Sequence, residues 1–329
     1  MIFVTGGSGL IGRFLLPALL AEGHPVRALY RRQIPVIPGG EQIQWVEGDL
    51  RDTVVLRQVL VGVTHVFHCA GLVSYAPQDE QALQQTNVEG TMAVVDACLE
   101  HPGLRLCHVS SVAALGAPAA EQQVAGPGSI LLNEDAKWDL GAEHPAYATS
   151  KYLAELEVWR GVSEGLAAVI VNPSVILGAA DWARSSTRLF RYAYQEHAFY
   201  TPTTLNLVDV RDVVEAMLRL TLRTTISGER YILNAGAMSL QEFLSQAAAC
   251  FQKKPPTVAV PNWAAELIWR LEHTRAFFTG ARPLITKDTA RAGRRATAYT
   301  TTKVQAATGL TFRPLAETIE WCCAGLQPN

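Results

Sequence analysis

The stretch Thr5-Gly6-Gly7-Ser8-Gly9-Leu10-Ile11-Gly12 decides the fold. It follows a short apolar run, Ile2 to Thr5, and opens a helical pattern over Leu10 to Ala21. Strand, glycine turn and helix in immediate succession are the context in which spaced glycines cradle a dinucleotide pyrophosphate. Gly6 permits the tight turn, Gly9 lets the backbone approach a phosphate, and Gly12 lets the helix pack closely on the sheet. The free N–H groups and positive dipole end of the helix then face the anion. Glycines in a turn alone are structural punctuation; the flanking strand and helix give them a ligand.

Outward from this turn, short β-branched runs alternate with longer helical patterns, the signature of parallel strands joined by crossover helices. Strands are expected at Ile2 to Thr5, Val26 to Tyr30, Ile43 to Glu47, His65 to Cys69, Leu104 to Ser110 and Ala167 to Val171. Helices are expected near Leu10 to Ala21, Thr53 to Leu60, Glu80 to Glu100 and Ala148 to Glu164. The fold class is therefore α/β, a Rossmann-type doubly wound parallel sheet with a smaller, mostly helical C-terminal substrate domain. Asn172-Pro173 ends a strand, and the runs NLVDV, VVEAMLRL and RYILN between residues 206 and 233 return to strand and helix character. The expected division is 1–172 plus 206–235 for the nucleotide and 173–205 plus 236–329 for the substrate. Tail helices are expected to start near Ser239, Asn262 and Pro314, each a helix start signal.

Composition narrows the class. Of 329 residues, 49% are apolar and 18% charged, which excludes a disordered chain. Lys plus Arg number 28 against 30 Asp plus Glu, and nothing at this level points to nucleic acid. Apolar runs such as Leu166 to Val171 fall far short of the roughly 20 residues that span a bilayer. The opening residues MIFVTGG show no basic leader or apolar signal core, so a cytoplasmic protein without a membrane span is expected. The cysteines, Cys69, Cys98, Cys107, Cys250, Cys322 and Cys323, lack metal-ligand spacing and are expected to be buried reduced thiols, with no metal bound.

The second strand ends Leu29-Tyr30-Arg31-Arg32, with no acid where an NAD site would hold the ribose 2′-hydroxyl. Two guanidinium groups there suit a 2′-phosphate, so NADP(H) is favoured over NAD(H); the alternative is a merely solvated strand end. Further on, Tyr147-Ala148-Thr149-Ser150-Lys151 places a phenol and an ammonium four apart on one helix face. An ammonium beside a phenol lowers its pKa from about 10, fitting Tyr147 for general acid–base work. Ser110 and Ser111 close the fifth strand at the carboxyl edge of the sheet, where a hydroxyl can bond a substrate carbonyl.

Together these residues resemble the extended short-chain dehydrogenase/reductase family, the NAD-dependent epimerase/dehydratase superfamily. The matching stretches are TGGSGLIG, GDL at Gly48 to Leu50, HCAG at His68 to Gly71, NVEGT at Asn87 to Thr91, VSS at Val109 to Ser111, YATSK, NPSVILG at Asn172 to Gly178 and VDVRDV at Val208 to Val213. They run in family order from residue 5 to 213, while the last third matches only loosely. The resemblance implies a cofactor site of Thr5, Gly6, Gly9, Leu10, Ile11, Gly12, Arg31, Arg32, Asp49, Leu50, Ala70, Gly71, Asn87, Ser110, Tyr147, Lys151, Pro173 and Ser174. Within it, Asp49 would hold the adenine amino group and Pro173 and Ser174 would flank the nicotinamide. It implies catalysis by Ser111, Tyr147 as proton donor, and Lys151. Dehydratases of the family carry an Asp-Glu pair just after the catalytic hydroxyl; here Val112 and Ala113 stand there. NPSVILGAADW and the second-strand arginines look most like dihydroflavonol 4-reductase-like and 3β-hydroxysteroid dehydrogenase-like members, which exchange a hydride between a nicotinamide and a ketone, aldehyde or secondary alcohol. The alternatives are a sugar-nucleotide 4-epimerase with tightly bound NAD and, further off, a non-catalytic dinucleotide sensor.

The segments Leu72 to Asp79, Ser111 to Tyr147 and Asp181 to Arg188 are expected to roof a small-molecule carbonyl or alcohol. Trp138 and Tyr75 would form an apolar wall or serve as plain packing aromatics. From Arg270 to Arg313, nine Lys or Arg face two acids, a substrate clue or simply a solvated basic face. The stripe Trp263, Leu267, Ile268 and Leu271 has helical spacing and reads as core packing. The family's habit implies a homodimer through the helices around Asn87 and Tyr147.

Overall fold

The computed structural model describes residues 1–116, 124–126, 129–180, 182, 186–261, 263–264 and 296–326. Its first part is β1 (Ile2–Thr5), α1 (Leu10–Ala21), β2 (Val26–Tyr30), β3 (Gln44–Glu47), α2 (Thr53–Val59), β4 (His65–His68), α3 (Gly90–Leu99), β5 (Arg105–Val109), α4 (Ala146–Ser163) and β6 (Ala167–Pro173). There follow α5 (Thr187–Tyr194), α6 (Val210–Leu222), β7 (Glu229–Leu233), α7 (Leu240–Cys250), α8 (Thr302–Thr308) and α9 (Leu315–Gly325).

The seven strands form one sheet in the order β7-β6-β5-β4-β1-β2-β3. Every neighbouring pair is parallel. The order reverses between β1 and β4, and a crevice outside the carboxyl ends of the strands opens at such a switch point. Both faces are covered, which is why the strands read as apolar runs. Val4, Phe67, Cys107 and Val169 face one core with Leu15 and Leu16 of α1 and Val213 and Met217 of α6. Phe3, Val66, Leu106 and Ala168 face the other with Leu56 of α2, Val94 of α3 and Val158 of α4. The alternation is the two-residue period of a strand, seen from both sides.

The doubly wound sheet expected from the sequence is present, with RYILN supplying the seventh strand. Two expectations need correction. The helix expected over Glu80 to Glu100 is one turn, Glu80–Leu83, then π-helical Gln84–Glu89, then α3. Asn87 occupies the wide turn, whose backbone deviates where the side chain serves the site. The run NLVDV stays outside the main sheet: Thr204–Asp209 pairs with Val175–Leu177 and antiparallel with Gly236–Ser239.

Beyond this sheet α5, α7 and α9 share a core of Phe190, Phe243, Ile319 and Cys322. Ser239 caps α7 by accepting from the Glu242 N–H, and Pro314 precedes α9, as their start signals predict. Asn262 and most of the residue 262–295 stretch, including the apolar stripe after Trp263 and the arginines from Arg270 to Arg295, lie outside the described residues. All cysteines are free, but Cys69 and Cys250 are half-buried where full burial is expected. Among the described residues no helix is long and apolar enough to cross a membrane.

Candidate active site

The glycine turn closes as steric necessity demands. Gly6 takes φ +72, and a Cβ there would meet the Ala70 backbone nitrogen at 2.5 Å. A Cβ on Gly12 would lie 2.4 Å from the Gly6 carbonyl oxygen and 2.5 Å from the Gly7 Cα. Gly9 is the residue before α1 and offers no side-chain cap, which leaves the first N–H groups of the helix open to an anion. Leu10 is half-buried, whereas the Ile11 side chain belongs to the core, so only its backbone lies at this turn.

Behind the turn runs a buried hydrogen-bond chain. Thr91 Oγ1 donates to the Asn87 carbonyl at 2.5 Å and receives the His68 Nε2–H at 3.0 Å. His68 Nδ1 is then the acceptor for the Thr5 hydroxyl at 2.7 Å, and Thr5 Oγ1 accepts from the Ala70 N–H at 3.3 Å. Burial and the Lys151 charge push the His68 pKa down to about 3, which keeps the ring neutral as this chain requires. Thr5 and His68 thus hold the Ala70–Gly71 backbone against Gly6. Asn87 fixes the next residues, accepting from the Leu72 N–H at 2.7 Å and donating to the Leu72 carbonyl at 3.0 Å and to Ser150 Oγ at 2.9 Å.

At the outer end, Arg31 and Arg32 are exposed after β2. Asp49 accepts from the Arg51 backbone and guanidinium, with Arg31 Nη1 3.8 Å away. The Arg51 N–H above all, and then both guanidinium groups, hold the Asp49 carboxyl below its ordinary range. Leu50 packs beside Gly90 at the start of α3.

At the inner end, α4 lays Tyr147 and Lys151 against the end of β5. Ser111 Oγ accepts from the Ala113 N–H at 3.2 Å and lies close enough to the Tyr147 hydroxyl to act on its pKa. Lys151 Nζ donates to the Val109 carbonyl at 2.7 Å, and burial lowers its pKa to about 8. The expected depression of the phenol is corrected here. Burial first and Tyr75 second push the Tyr147 pKa up, and the lowering influence is the nearby Ser111 hydroxyl. The phenol is buried, whereas the ammonium is turned to the Val109 carbonyl. Ser110 points elsewhere: its hydroxyl donates to Glu155 Oε2 at 2.7 Å.

Ser174 lies just past β6, and its buried Oγ is without a partner among the described residues. An orphaned hydroxyl at the end of β6, together with the glycine cradle and uncapped helix after β1, fits a dinucleotide with an amide at its far end. Tyr75 stands edge-on to Tyr147 at 5.6 Å. Trp138 is instead sandwiched between His144 and Tyr152 at 3.8 and 4.3 Å. The two described basic residues of the C-terminal region are engaged internally, Lys303 with Glu229 and Arg313 with Asp212. Glu155, Asn172 and Arg230, which carry no expectation from the sequence, join the site from below. Only Glu155 leaves a local signal, extending the four-residue spacing of Tyr147 and Lys151.

Residues 2–236 match the model of the NAD dependent epimerase/dehydratase family. The chain belongs to that family. A protein of Synechocystis sp., provisionally named a dihydroflavonol 4-reductase, is 35% identical over 79% of this chain and 75% of its own length. Sterol demethylase protein B of Methylococcus capsulatus is 32% identical over 78% of this chain and 76% of its own. A farnesyl-dihydroquinoline-oxide ketoreductase of Stigmatella aurantiaca is 32% identical over 74% and 71%. Among solved structures, gox2253 superposes with a TM-score of 0.81 at 28% identity over 99% of this chain and 97% of its own. MoeE5, solved with UDP-glucuronic acid and NAD, shares the fold at a TM-score of 0.73 and 22% identity over 98% of each chain. The chain is accordingly an NAD(P)-dependent enzyme of the extended short-chain dehydrogenase/reductase type.

Proposed function

We propose that the protein is an NADP(H)-dependent reductase of a ketone or aldehyde, running as a dehydrogenase of the secondary alcohol in reverse. The observation that carries this reading is the buried Tyr147 with the Ser111 hydroxyl near it at the sheet's carboxyl edge and Lys151 one turn along the same helix face. Gly6, Gly9 and Gly12 would hold the pyrophosphate, Asp49 the adenine, and Ala70, Gly71, Pro173 and Ser174 the nicotinamide end. The bound nicotinamide supplies a hydride donor or acceptor.

Ser111 Oγ and Tyr147 Oη present two hydroxyl groups to the substrate carbonyl oxygen, fixing its position. As negative charge develops on that oxygen, both hydroxyls stabilise it and the proton leaves Tyr147 Oη for it. A phenol whose pKa is raised by burial remains protonated at neutral pH and is ready to donate. Lys151 supplies a positive charge behind the phenolate that results. Tyr75 offers an apolar face beside the reacting carbon.

Arg31 and Arg32 support the choice of NADP(H), since neither guanidinium is buried and a 2′-phosphate accepts both. The exposed Met92 on α3 and Leu156 on α4 support a homodimer through this helix pair, which equilibrium sedimentation would test.

A bound-cofactor assay on the purified chain followed by a carbonyl panel tests the reading. Net oxidation of added NADPH with a carbonyl is the expected result. Retained NAD with interconversion of UDP-sugars and no net cofactor turnover would overturn it in favour of a 4-epimerase.

A further inference from the structure

Val109, the last residue of β5, and the two residues that follow it lie against one face of α4. Lys151 Nζ donates to the Val109 carbonyl, Ser110 Oγ donates to Glu155, and the Ser111 hydroxyl lies near that of Tyr147. The helix residues stand at intervals of four, so Tyr147, Lys151 and Glu155 form one continuous row. The first two members have roles in the proposed reaction; the third has none assigned.

Glu155 is an unusual occupant of a core position. Its side chain is 2% exposed. Oε2 accepts from Ser110 Oγ at 2.7 Å and Asn172 Nδ2 at 2.8 Å. Oε1 accepts from Arg230 Nη1 at 3.0 Å and Trp159 Nε1 at 3.4 Å. Arg230 is itself fixed by the Glu134 and Ala136 carbonyls at 2.8 Å. Asn172 Nδ2 also donates to the Ser111 carbonyl at 3.0 Å, so the carboxylate, the amide and the Ser111 backbone form one unit. A buried ion pair adds little stability over apolar residues of equal volume, so its presence here calls for another role.

We infer that Glu155, anchored by Arg230, is a positioning residue for the reacting pair: it fixes the Val109–Ser111 segment against α4 and sets a negative charge behind the Lys151 ammonium. This rests on the reading of Ser111, Tyr147 and Lys151 as the reacting machinery. Lys151 is faced by Glu155 on its own helix, by His68 and Cys69 at the end of β4 and by His108 of β5. Burial keeps both imidazoles neutral and the Cys69 thiol protonated, which leaves Glu155 as the charged group among them. Burial lowers the Lys151 pKa, and Glu155 opposes that shift.

The test is Glu155→Gln, alongside Glu155→Gln/Arg230→Gln, which leaves no uncompensated buried charge should the single variant fail to fold. Two readouts are taken. In steady-state reduction, kcat at pH 9 relative to pH 6 should fall several-fold, because loss of the Glu155 charge lets burial lower the Lys151 pKa further. In the free chain, the lysine side-chain NMR signals, with Lys151 assigned through Lys151→Met, should show Lys151 titrating at correspondingly lower pH. A uniform loss at all pH values, or an unshifted Lys151 titration, would overturn the inference. Should Tyr147→Phe turn over like wild type, the reading of the machinery itself fails; an inactive Tyr147→Phe with an unshifted Glu155→Gln profile sinks only the role of Glu155.

Discussion

At the inner end of the crevice, Glu155 is 2% exposed and bonded on both oxygens; at the outer end, Asp49 and Arg31 keep 35% and 64% of their side-chain surface. The same pairing of carboxylate and guanidinium therefore has two energetic meanings. Exposed pairs contribute about 0–1 kcal/mol and yield readily to a better partner, whereas removing one member of a buried pair costs about 3–5 kcal/mol. Under the proposed reading, the end that holds Ser111, Tyr147 and Lys151 is the firmly bonded one. The end at Asp49 and Arg31, proposed to hold the adenosine, is held loosely enough to be re-specified by substitution at exposed positions.

This contrast can be broken experimentally, beginning at the inner end. Ser111→Ala should lower kcat by about 10²-fold with cofactor affinity nearly unchanged, measured by steady-state kinetics and cofactor titration. Between the two ends, Gly12→Ala forces a Cβ to within 2.4 Å of the Gly6 carbonyl oxygen. It should destabilise the chain by about 1–3 kcal/mol in denaturant unfolding and weaken either dinucleotide. At the outer end, Arg31→Ala/Arg32→Ala should raise the Kd of NADPH about tenfold and leave that of NADH nearly constant, read by fluorescence titration. Equal losses for both would show that these arginines do not read the 2′-phosphate. The smallest effect is expected at Asp52, whose carboxylate caps α2 by accepting from the Val54 and Val55 N–H groups. Asp52→Ala should cost about 1 kcal/mol in stability and leave kcat intact.

What the sequence made legible divides along the same line. The glycine turn, β1, β2 and α1 are local features: a strand, a turn that only glycine satisfies, and an apolar helix stripe, all within 30 residues. Their boundaries coincide with the expected ones. The placement of Tyr147 and Lys151 on one helix face is readable from their spacing, whereas the choice of Ser111 over Ser110 rests on the family resemblance. The π-helical turn at Asn87 is not readable, since the Asn87 side chain bonds partners 15 and 63 residues away, Leu72 and Ser150. Thr204–Asp209 has the composition of a core strand, and its partners, not its residues, send it to another sheet. Arg230 reaches Glu155 across 75 residues of chain, a separation no local pattern encodes. The direction of the phenol pKa is hidden for a similar reason: spacing shows that Lys151 is near, but not that Tyr147 is buried or that the ammonium faces Val109.

The central claim is that Tyr147 delivers the proton in a reduction prepared by Ser111 and Lys151. Single-turnover oxidation of bound NADPH by a carbonyl substrate, compared between wild type and Tyr147→Phe, tests it most directly. The account predicts a fall of about 10³-fold in the rate for Tyr147→Phe with NADPH affinity preserved. A Tyr147→Phe enzyme that oxidises NADPH at the wild-type rate would contradict it.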